Sequence, residues 1–219
     1  METFLKKELE DNDFIVEEIT ENVLLVKDYM SQEELKEIFD IINNIEEEEW
    51  FIEYTQNLKR FCLEKFGRDD VENLVSEGKF EITQGWQDKN FNIGNTKLYR
   101  KLHDRLHKII QTSNSNLELS GFGTIQRMKE GVELKSHTDQ HTDPSIQYAT
   151  ILYLNDDYVD GELVFKKNNI TLKPKPGSLI IFPGNDEFEH GVNFVGKGPI
   201  RYVLVGFIKI KNFYDTNKY

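Results

Sequence analysis

The spacing of apolar residues along the chain changes near residue 116. Before that point, apolar positions recur mostly every three or four residues, which is typical of helices. After it, short apolar runs alternate with turn residues, which is typical of strands. No Pro-, Gly- or Ser-rich linker divides the chain, so we expect one domain over residues 1–219. Its predicted parts are an N-terminal strand and helical support over 1–115 and a β core over 116–212.

The N-terminal half predicts one or two short strands over residues 14–27, followed by three helices. Residues 31–34, Ser-Gln-Glu-Glu, form a capping box, and apolar residues follow at helical spacing as far as Ile42. Residues 46–66 and 95–110 carry apolar side chains at similar intervals and predict the second and third helices.

The C-terminal half predicts eight short strands separated by turns that are rich in glycine, proline and asparagine. The predicted strands are 118–128, 132–136, 147–154, 162–165, 170–172, 178–182, 191–194 and 201–210. Short strands with regular turns are typical of a jelly-roll sandwich or barrel. The fold class we expect is therefore α+β with a mainly β core, in which the N-terminal helices cover one sheet.

Composition and charge narrow the classes of partner. The chain has a formal net charge of −12, whereas nucleic acid and anionic membranes attract basic surfaces. Cys62 is the single cysteine and cannot form an internal disulfide, which favours a reducing compartment. The N-terminus lacks the apolar stretch of a signal peptide, and no apolar run approaches the ~20 residues that span a bilayer. We expect a cytoplasmic protein without nucleic-acid or membrane partners; its oligomeric state is not indicated.

Three residues have the chemistry and spacing of a metal site. His137 and Asp139 are two residues apart at the end of a predicted strand, so their side chains point the same way on extended backbone. His190 opens a later predicted strand. Two imidazoles and one carboxylate can occupy one face of an octahedral Fe(II) and leave the other positions open for a co-substrate and O2.

Two other groups of histidines compete with this assignment. His141-Thr142-Asp143 repeats the same tripeptide four residues later, but it lies in a polar loop, whereas His137 continues a predicted strand. His103 and His107 share a helix face at i and i+4 spacing, as in zinc helices. The acidic residue between them is Asp rather than Glu, and no third ligand follows nearby. We therefore interpret the two histidines as ordinary residues at the edge of the apolar face of the helix.

Arg201 opens the last predicted strand and supplies a cation for an acidic co-substrate. Because the turn at 196–199 separates His190 and Arg201, we expect the two on paired antiparallel strands, offset by about four residues or roughly 13 Å. A dicarboxylate with one end on iron would reach the guanidinium over such a gap. The planar fork of arginine matches a carboxylate with two parallel hydrogen bonds.

Residues from about Gly121 to Ile210 resemble the prolyl 4-hydroxylase branch of the Fe(II)/2-oxoglutarate dioxygenases. The resemblance is carried by the His-x-Asp and distal His, Gly131, Tyr153-Leu154-Asn155, Asp160-Gly161-Glu162-Leu163-Val164-Phe165, the stretch from Pro174 to Pro183, and Arg201-Tyr202. It implies a double-stranded β-helix, with His137, Asp139 and His190 as iron ligands. It also implies that Arg201 and Tyr153 bind the distal carboxylate of 2-oxoglutarate.

The activity that this resemblance implies is hydroxylation of a substrate with release of succinate and CO2. The implied cofactors are Fe(II), 2-oxoglutarate as co-substrate, O2, and ascorbate as reductant. The implied substrate is a prolyl residue in a peptide or protein. Three alternatives stay open: the same chemistry on a small molecule or another protein side chain, a non-catalytic jelly-roll module that binds metal, and a zinc hydrolase built on His103 and His107.

The sequence departs from the family pattern at three positions near the expected pocket, one of which is Arg201, where collagen-type members have lysine. Met128 stands where many members have a tyrosine that contacts the co-substrate, and Arg127 or Gln126 could replace that contact. Asp160 replaces the first glycine of a Gly-Gly pair. Trp86 and residues 90–95 lie in a polar segment that we interpret either as a loop over the substrate or as an ordinary connection. We expect four side chains to line the inward face, at even spacing from Tyr153 and Arg201: Ile151, Val203, Val205 and Phe207.

Overall fold

The computed structural model describes residues 2–50, 62–63, 65–79 and 89–216. Its helices and strands are each numbered in chain order. The helices are α1 (Glu2–Asp11), α2 (Gln32–Ile42), α3 (Val71–Ser76), α4 (Lys97–Ser113), α5 (Asp139–Thr142) and α6 (Phe213–Thr216). The strands are β1 (Ile15–Thr20), β2 (Val23–Lys27), β3 (Lys89–Asn92), β4 (Leu117–Met128), β5 (Leu134–His137), β6 (Ile146–Tyr153), β7 (Leu163–Phe165), β8 (Ile170–Leu172), β9 (Leu179–Pro183), β10 (His190–Val192) and β11 (Arg201–Ile210).

The strands form two antiparallel sheets that face each other. The larger sheet has the order β1-β2-β9-β6-β11-β4-β3, and the smaller sheet has the order β5-β10-β7-β8. The chain crosses repeatedly from one sheet to the other, as between β10 and β11. This arrangement confirms the predicted jelly roll, and all eight strands predicted after residue 116 are present within two residues at each end.

Because successive side chains of a strand point to opposite faces of the sheet, the apolar side chains of the larger sheet belong to two cores. One core lies between the sheets and includes Ile151, Tyr153, Val203 and Phe165. Val205 and Phe207 pack against it, so the predicted inward face is confirmed. The other core lies on the opposite face of the larger sheet, where helices cover it. Its members include Leu152 and Leu204, one residue along from the inward set, as the period of two requires.

Helices α1, α2 and α4 cover the outer face of the larger sheet. Helix α4 buries five apolar side chains against it: Leu98, Leu102, Leu106, Ile109 and Ile110. Helix α1, which the sequence pattern did not predict, buries Leu5 and Leu9 in the same core. No helix in the described part of the chain is both long and apolar enough to cross a membrane.

Helix α2 begins where the capping box predicts. The Ser31 hydroxyl accepts from the Glu34 backbone N–H at 3.2 Å, and the Glu34 carboxylate accepts from the Ser31 N–H at 2.9 Å. Glu34 is 3% exposed and also pairs with Arg105 of α4, at 2.5 Å, and with Lys101, at 2.8 Å. One carboxylate thus caps α2 and joins it to α4.

Two sequence predictions about the N-terminal half are wrong. Residues 47–49 form a single 3-10 turn, and Trp50 leaves it with extended backbone, so no helix begins at residue 46. Of the rest of the predicted 46–66 helix, residues 62–63 and 65–66 are helical as predicted, and the others lie outside the described residues. Trp50 does not continue a helix because it makes contacts with residues distant in sequence. The Arg127 guanidinium carbon lies 4.2 Å from the Trp50 ring centroid, and the Trp50 ring also packs against Tyr202. Residues 89–92, interpreted partly as loop, form β3 at the sheet edge.

The predicted pairing of the last two strands is also wrong. Strand β10 pairs with β5 and β7 in the smaller sheet, while β11 pairs with β4 and β6 in the larger one. The turn at 196–199 is therefore a crossover between sheets rather than a hairpin. His190 and Arg201 consequently belong to facing sheets and not to neighbouring strands.

We predict that Glu34→Gln destabilises the fold in a pH-dependent way. Burial alone would raise the pKa of Glu34, but hydrogen bonds from Arg105 and Lys101 overcome it and lower the pKa to about 2. Stabilisation by the ionised group is therefore present above its ordinary pKa near 4.5 and is lost as the pH falls from there towards 2. Urea titrations should show a deficit of about 1–3 kcal/mol for the variant at pH 7, shrinking below pH 4.5. An equal deficit at pH 7 and pH 3 would contradict this account.

Candidate metal and co-substrate site

Strand register brings the two histidines together. Strand β10 lies between β5 and β7, and His190 is the direct cross-strand partner of His137. Their ring centroids are 4.5 Å apart. Asp139 follows at the first position of α5, where the chain turns back towards the end of β9. Within the described residues, His137, Asp139 and His190 are the one group of three side chains whose ligand atoms could hold a metal ion, all within 4.8 Å of one another.

The hydrogen bonds of the two rings leave the correct nitrogens free for a metal. His137 Nδ1 lies 2.9 Å from the Lys135 carbonyl oxygen, and His190 Nδ1 lies 3.1 Å from the Phe188 carbonyl oxygen. A carbonyl oxygen can only accept, so each Nδ1 carries the proton and each Nε2 keeps its lone pair. The Nε2 atoms of His137 and His190 lie 3.9 Å from Asp139 Oδ1 and Oδ2 respectively. Such backbone contacts are the usual way of orienting metal-bound imidazoles.

The electrostatics of the cluster also suit a cation. The His190 ring is buried against Phe165 and Phe182, and this burial lowers its pKa to about 3, so the ring is neutral at ordinary pH. Burial raises the pKa of Asp139 to about 6, against the pull of His137, and its Oδ2 has no hydrogen-bond partner. A buried carboxylate without a partner is costly, and a divalent cation would compensate it. The residues present therefore fit an Fe(II) ion.

The competing histidines lie elsewhere. His141 is 70% exposed and pairs with the equally exposed Asp186 at 2.9 Å, while Asp143 binds Lys209 and Ser145. The rings of His103 and His107 stack on each other on α4, and His103 contacts Asp104 at 3.2 Å, but these side chains do not form a group of three with ligand atoms close enough for one metal ion among the described residues.

A second buried polar group lies between the sheets at the start of β11. Arg201 is 1% exposed, and its guanidinium contacts Tyr153 Oη at 3.3 Å and Met128 Sδ at 3.5 Å. Arg201 Nε has no partner, and no carboxylate of the described residues lies within ion-pair distance of the guanidinium. Burying an unpaired cation is costly, so an anion bound at this guanidinium would compensate it. The distal carboxylate of 2-oxoglutarate has the required charge.

Asn155 fixes the backbone on both sides of Arg201. Its Nδ2 donates to the Ile200 carbonyl at 2.7 Å, and its Oδ1 accepts from the Tyr202 N–H at 2.8 Å. The Tyr153-Leu154-Asn155 motif thus contributes a hydroxyl beside the guanidinium and an amide that holds its strand. Asn155 belongs to the motif that carries the family resemblance, but the sequence alone assigns it no role.

The structure shows which residues surround Met128, where many related enzymes have a tyrosine. Arg127 points to the opposite face of the sheet, where it binds Glu47 at 2.6 Å, so the suggestion that it replaces the missing tyrosine is wrong. Tyr158, which the sequence analysis did not single out, is fully buried with its ring 5.8 Å from the Arg201 guanidinium. Asp160 adopts a φ of 52° and Gly161 a φ of 66°, so the turn keeps the left-handed backbone that a Gly-Gly pair would favour.

The fold and the site geometry can be compared with those of known proteins. Residues 123–209 match the family model described as the 2OG-Fe(II) oxygenase superfamily. The matched segment runs from β4 to β11 and contains His137, Asp139, His190 and Arg201. This match confirms the resemblance that the sequence motifs carry.

Named relatives extend this comparison. A segment of 56 residues is 41% identical to human prolyl 3-hydroxylase 2; it covers 23% of this chain and only 8% of that relative's length. The fold is similar to a viral collagen prolyl hydroxylase from Paramecium bursaria Chlorella virus-1, with a TM-score of 0.57 and 14% identity over 86% of this chain and 96% of that one. A prolyl hydroxylase from Trichoplax adhaerens, solved with a peptide fragment of a hypoxia-inducible factor, gives a TM-score of 0.50 and 15% identity, over 86% of this chain and 96% of that one.

We predict opposite effects of Asp139→Asn on stability and on metal binding. In the metal-free protein the variant removes a buried, uncompensated charge, so its thermal midpoint should exceed that of the wild type at pH 7.5. The gain should shrink as the pH falls from about 6 towards the ordinary pKa near 4, because the wild-type carboxyl then holds a proton. Titration with Mn(II) should show affinity lowered by at least about tenfold. A lower midpoint for the chelator-treated variant at pH 7.5 would contradict this account.

We also predict that Asn155→Ala weakens co-substrate binding and spares the metal. Loss of the two hydrogen bonds that bracket Arg201 should raise the Kd for 2-oxoglutarate by about tenfold, because the guanidinium is no longer held in place. The Kd for Mn(II), measured in the same titrations, should stay within about twofold. Asn193→Ala is the matched control, since this exposed amide donates to Glu162, which lies away from Arg201 in the sequence and belongs to no predicted binding group. Equal loss of both ligands would show that Asn155 serves the fold in general.

Proposed function

We propose that this protein is an Fe(II)- and 2-oxoglutarate-dependent dioxygenase that hydroxylates a prolyl residue in a peptide or protein. One observation carries the proposal. A His-Asp-His cluster, in which Asp139 and His190 are buried and His137 is half-buried, shares the interior between the sheets with a buried arginine that no carboxylate of the described residues neutralises. One site suits a divalent metal and the other an anion, as a chelating dicarboxylate requires.

In this proposal each residue has a defined part. His137 Nε2, His190 Nε2 and the Asp139 carboxylate hold Fe(II), and Arg201 with Tyr153 binds the distal carboxylate of 2-oxoglutarate. When bound, iron, 2-oxoglutarate and O2 supply the oxidative decarboxylation that releases succinate and CO2 and hydroxylates the substrate, with ascorbate as reductant. The protein's part is to orient these groups and to leave the remaining metal positions open.

The interior walls serve this chemistry by excluding water. Ile151 and Val203 lie between the sheets, and Phe182 packs edge-on against His190 at 4.6 Å. A dry environment strengthens the charge–charge and hydrogen-bonding interactions that hold an anionic co-substrate. The side chain of His137 is 37% exposed, while those of Asp139 and His190 are 8% and 6% exposed. The substrate would therefore approach from the side of His137.

The assignment of a prolyl substrate is supported by the relatives rather than by the pocket itself. A prolyl 3-hydroxylase matches over a short segment, and prolyl hydroxylases share the fold. The acidic chain, with a net charge of −12, favours substrates of neutral or basic character over nucleic acid. We further propose a single catalytic domain in a reducing, cytoplasmic setting, as the single cysteine Cys62 suggests.

We predict iron-dependent formation of succinate from 2-oxoglutarate, in air with ascorbate, by the intact chain. His137→Ala should abolish it by removing a metal ligand. His141→Ala is the matched control and should retain turnover within about twofold, because this exposed side chain lies outside the cluster. Arg201→Ala should lose 2-oxoglutarate use far more than Mn(II) affinity. If His141→Ala were inactive and His137→Ala active, the ligand set would be wrong.

Peptides then test the substrate. Proline-rich peptides should stimulate succinate release and gain 16 Da per hydroxylation, whereas matched peptides with alanine in place of proline should do neither. Fragmentation and product standards would distinguish hydroxylation at carbon 3 from carbon 4. Stimulation by small molecules but by no peptide would overturn the prolyl assignment and keep the chemistry. Metal binding without succinate from any substrate would favour a non-catalytic module.

A further inference from the structure

We infer that the Tyr158 hydroxyl donates a hydrogen bond to the distal carboxylate of 2-oxoglutarate, beside Tyr153 and Arg201. The inference rests on the proposed function and deepens it, because it names a binding residue that the motif pattern does not indicate. It is carried by a buried side chain whose hydroxyl interacts electrostatically with Arg201 but makes no hydrogen bond of good geometry with the described residues. Tyr158 is 1% exposed, and its hydroxyl has no hydrogen-bond partner among the described residues.

The position of Tyr158 links it to the co-substrate site. The Arg201 guanidinium carbon lies 5.2 Å from the Tyr153 ring centroid and 5.8 Å from the Tyr158 ring centroid, so both aromatic rings flank one cation. The Tyr158 ring is held from behind by two contacts. Lys173 donates to the Tyr158 carbonyl and places its ammonium 4.4 Å from the ring centroid, and Gly161 leaves space that a Cβ would take from the ring.

The distal carboxylate can accept more hydrogen bonds than Arg201 and Tyr153 donate. A carboxylate offers about four lone-pair positions to donors. Arg201 Nε has no partner, and the sulfur of Met128 is at most a weak acceptor, so it cannot donate to an anion as a tyrosine would. Burial raises the pKa of Tyr153 and of Tyr158, so both hydroxyls keep their protons and can donate. The loop after β6 thereby supplies the donor that β4 lacks at Met128.

A purely packing role does not account for the hydroxyl. Phenylalanine would fill the same space beside Arg201 without burying a polar atom, and a buried hydroxyl is costly when it has no partner. Tyr158 Oη and Arg201 Nε both lack a hydrogen-bond partner, and the Tyr158 ring centroid lies 5.8 Å from the guanidinium carbon, as expected if one anionic group satisfies both.

The test is equilibrium binding of two ligands to the intact protein loaded with Fe(II) in the absence of O2, followed by charge-transfer absorption and by calorimetry. One ligand is 2-oxoglutarate, and the other is 2-oxopentanoate, in which a methyl group replaces the distal carboxylate. Tyr158→Phe should raise the Kd for 2-oxoglutarate by about 10- to 100-fold, as for loss of a hydrogen bond to a charged group. Its Kd for 2-oxopentanoate should change by less than about twofold.

Tyr202→Phe is the matched control. Tyr202 adjoins Arg201 in β11 but packs on the opposite face of the sheet, against Trp50 and Phe39, so neither Kd should change. Thermal unfolding of all three proteins verifies that the variants fold. An unchanged Kd for 2-oxoglutarate in Tyr158→Phe, or an equal loss for both ligands, would overturn the inference alone. Failure of the iron-loaded wild type to bind 2-oxoglutarate would overturn the proposed function and this inference with it.

Discussion

The register of β10 against β5 is the constraint on which the site depends. It sets His190 directly opposite His137 in the smaller sheet, with both rings on one face. Because side chains alternate along a strand, a slip of one residue would turn His190 to the other face and dismantle the cluster. The crossover after β10 then carries the chain to the larger sheet, so Arg201 enters the same interior from the opposite wall. One metal site and one anion site thus face a shared space without lying on neighbouring strands.

The interior that holds these groups is costly in the absence of ligands. Asp139 is a buried carboxylate with an unpartnered oxygen, and Arg201 is a buried guanidinium without a carboxylate partner among the described residues. No ion pair joins these two charged groups, and each keeps an unpartnered polar atom among the described residues. The apolar cores on both faces of the larger sheet stabilise the fold against that cost. Metal and dicarboxylate would then bind to groups that are already oriented, which lowers the ordering cost of binding.

Much of this fold could be predicted from local patterns, and the exceptions have physical causes. Alternation and turn residues predicted the eight strands of the jelly roll, and the Ser31 capping box predicted the start of α2. The missed features depend on contacts distant in sequence. Residue Trp50 continues a helical sequence pattern but has extended backbone, because it packs against Arg127 and Tyr202. The turn at 196–199 has the residues of a hairpin turn, although it connects strands of two different sheets. Tyr158 gave no signal, because only the packed structure shows that its hydroxyl lacks a partner beside Arg201.

The most direct test of the central claim is a crystal structure of the protein grown with Mn(II), as a stand-in for Fe(II), and 2-oxoglutarate. The account predicts one metal ion bound by His137 Nε2, His190 Nε2 and the Asp139 carboxylate. It also predicts that the ligand's distal carboxylate lies on Arg201 and Tyr153. Metal bound at another set of side chains, or a dicarboxylate whose distal end lies away from Arg201, would contradict the account.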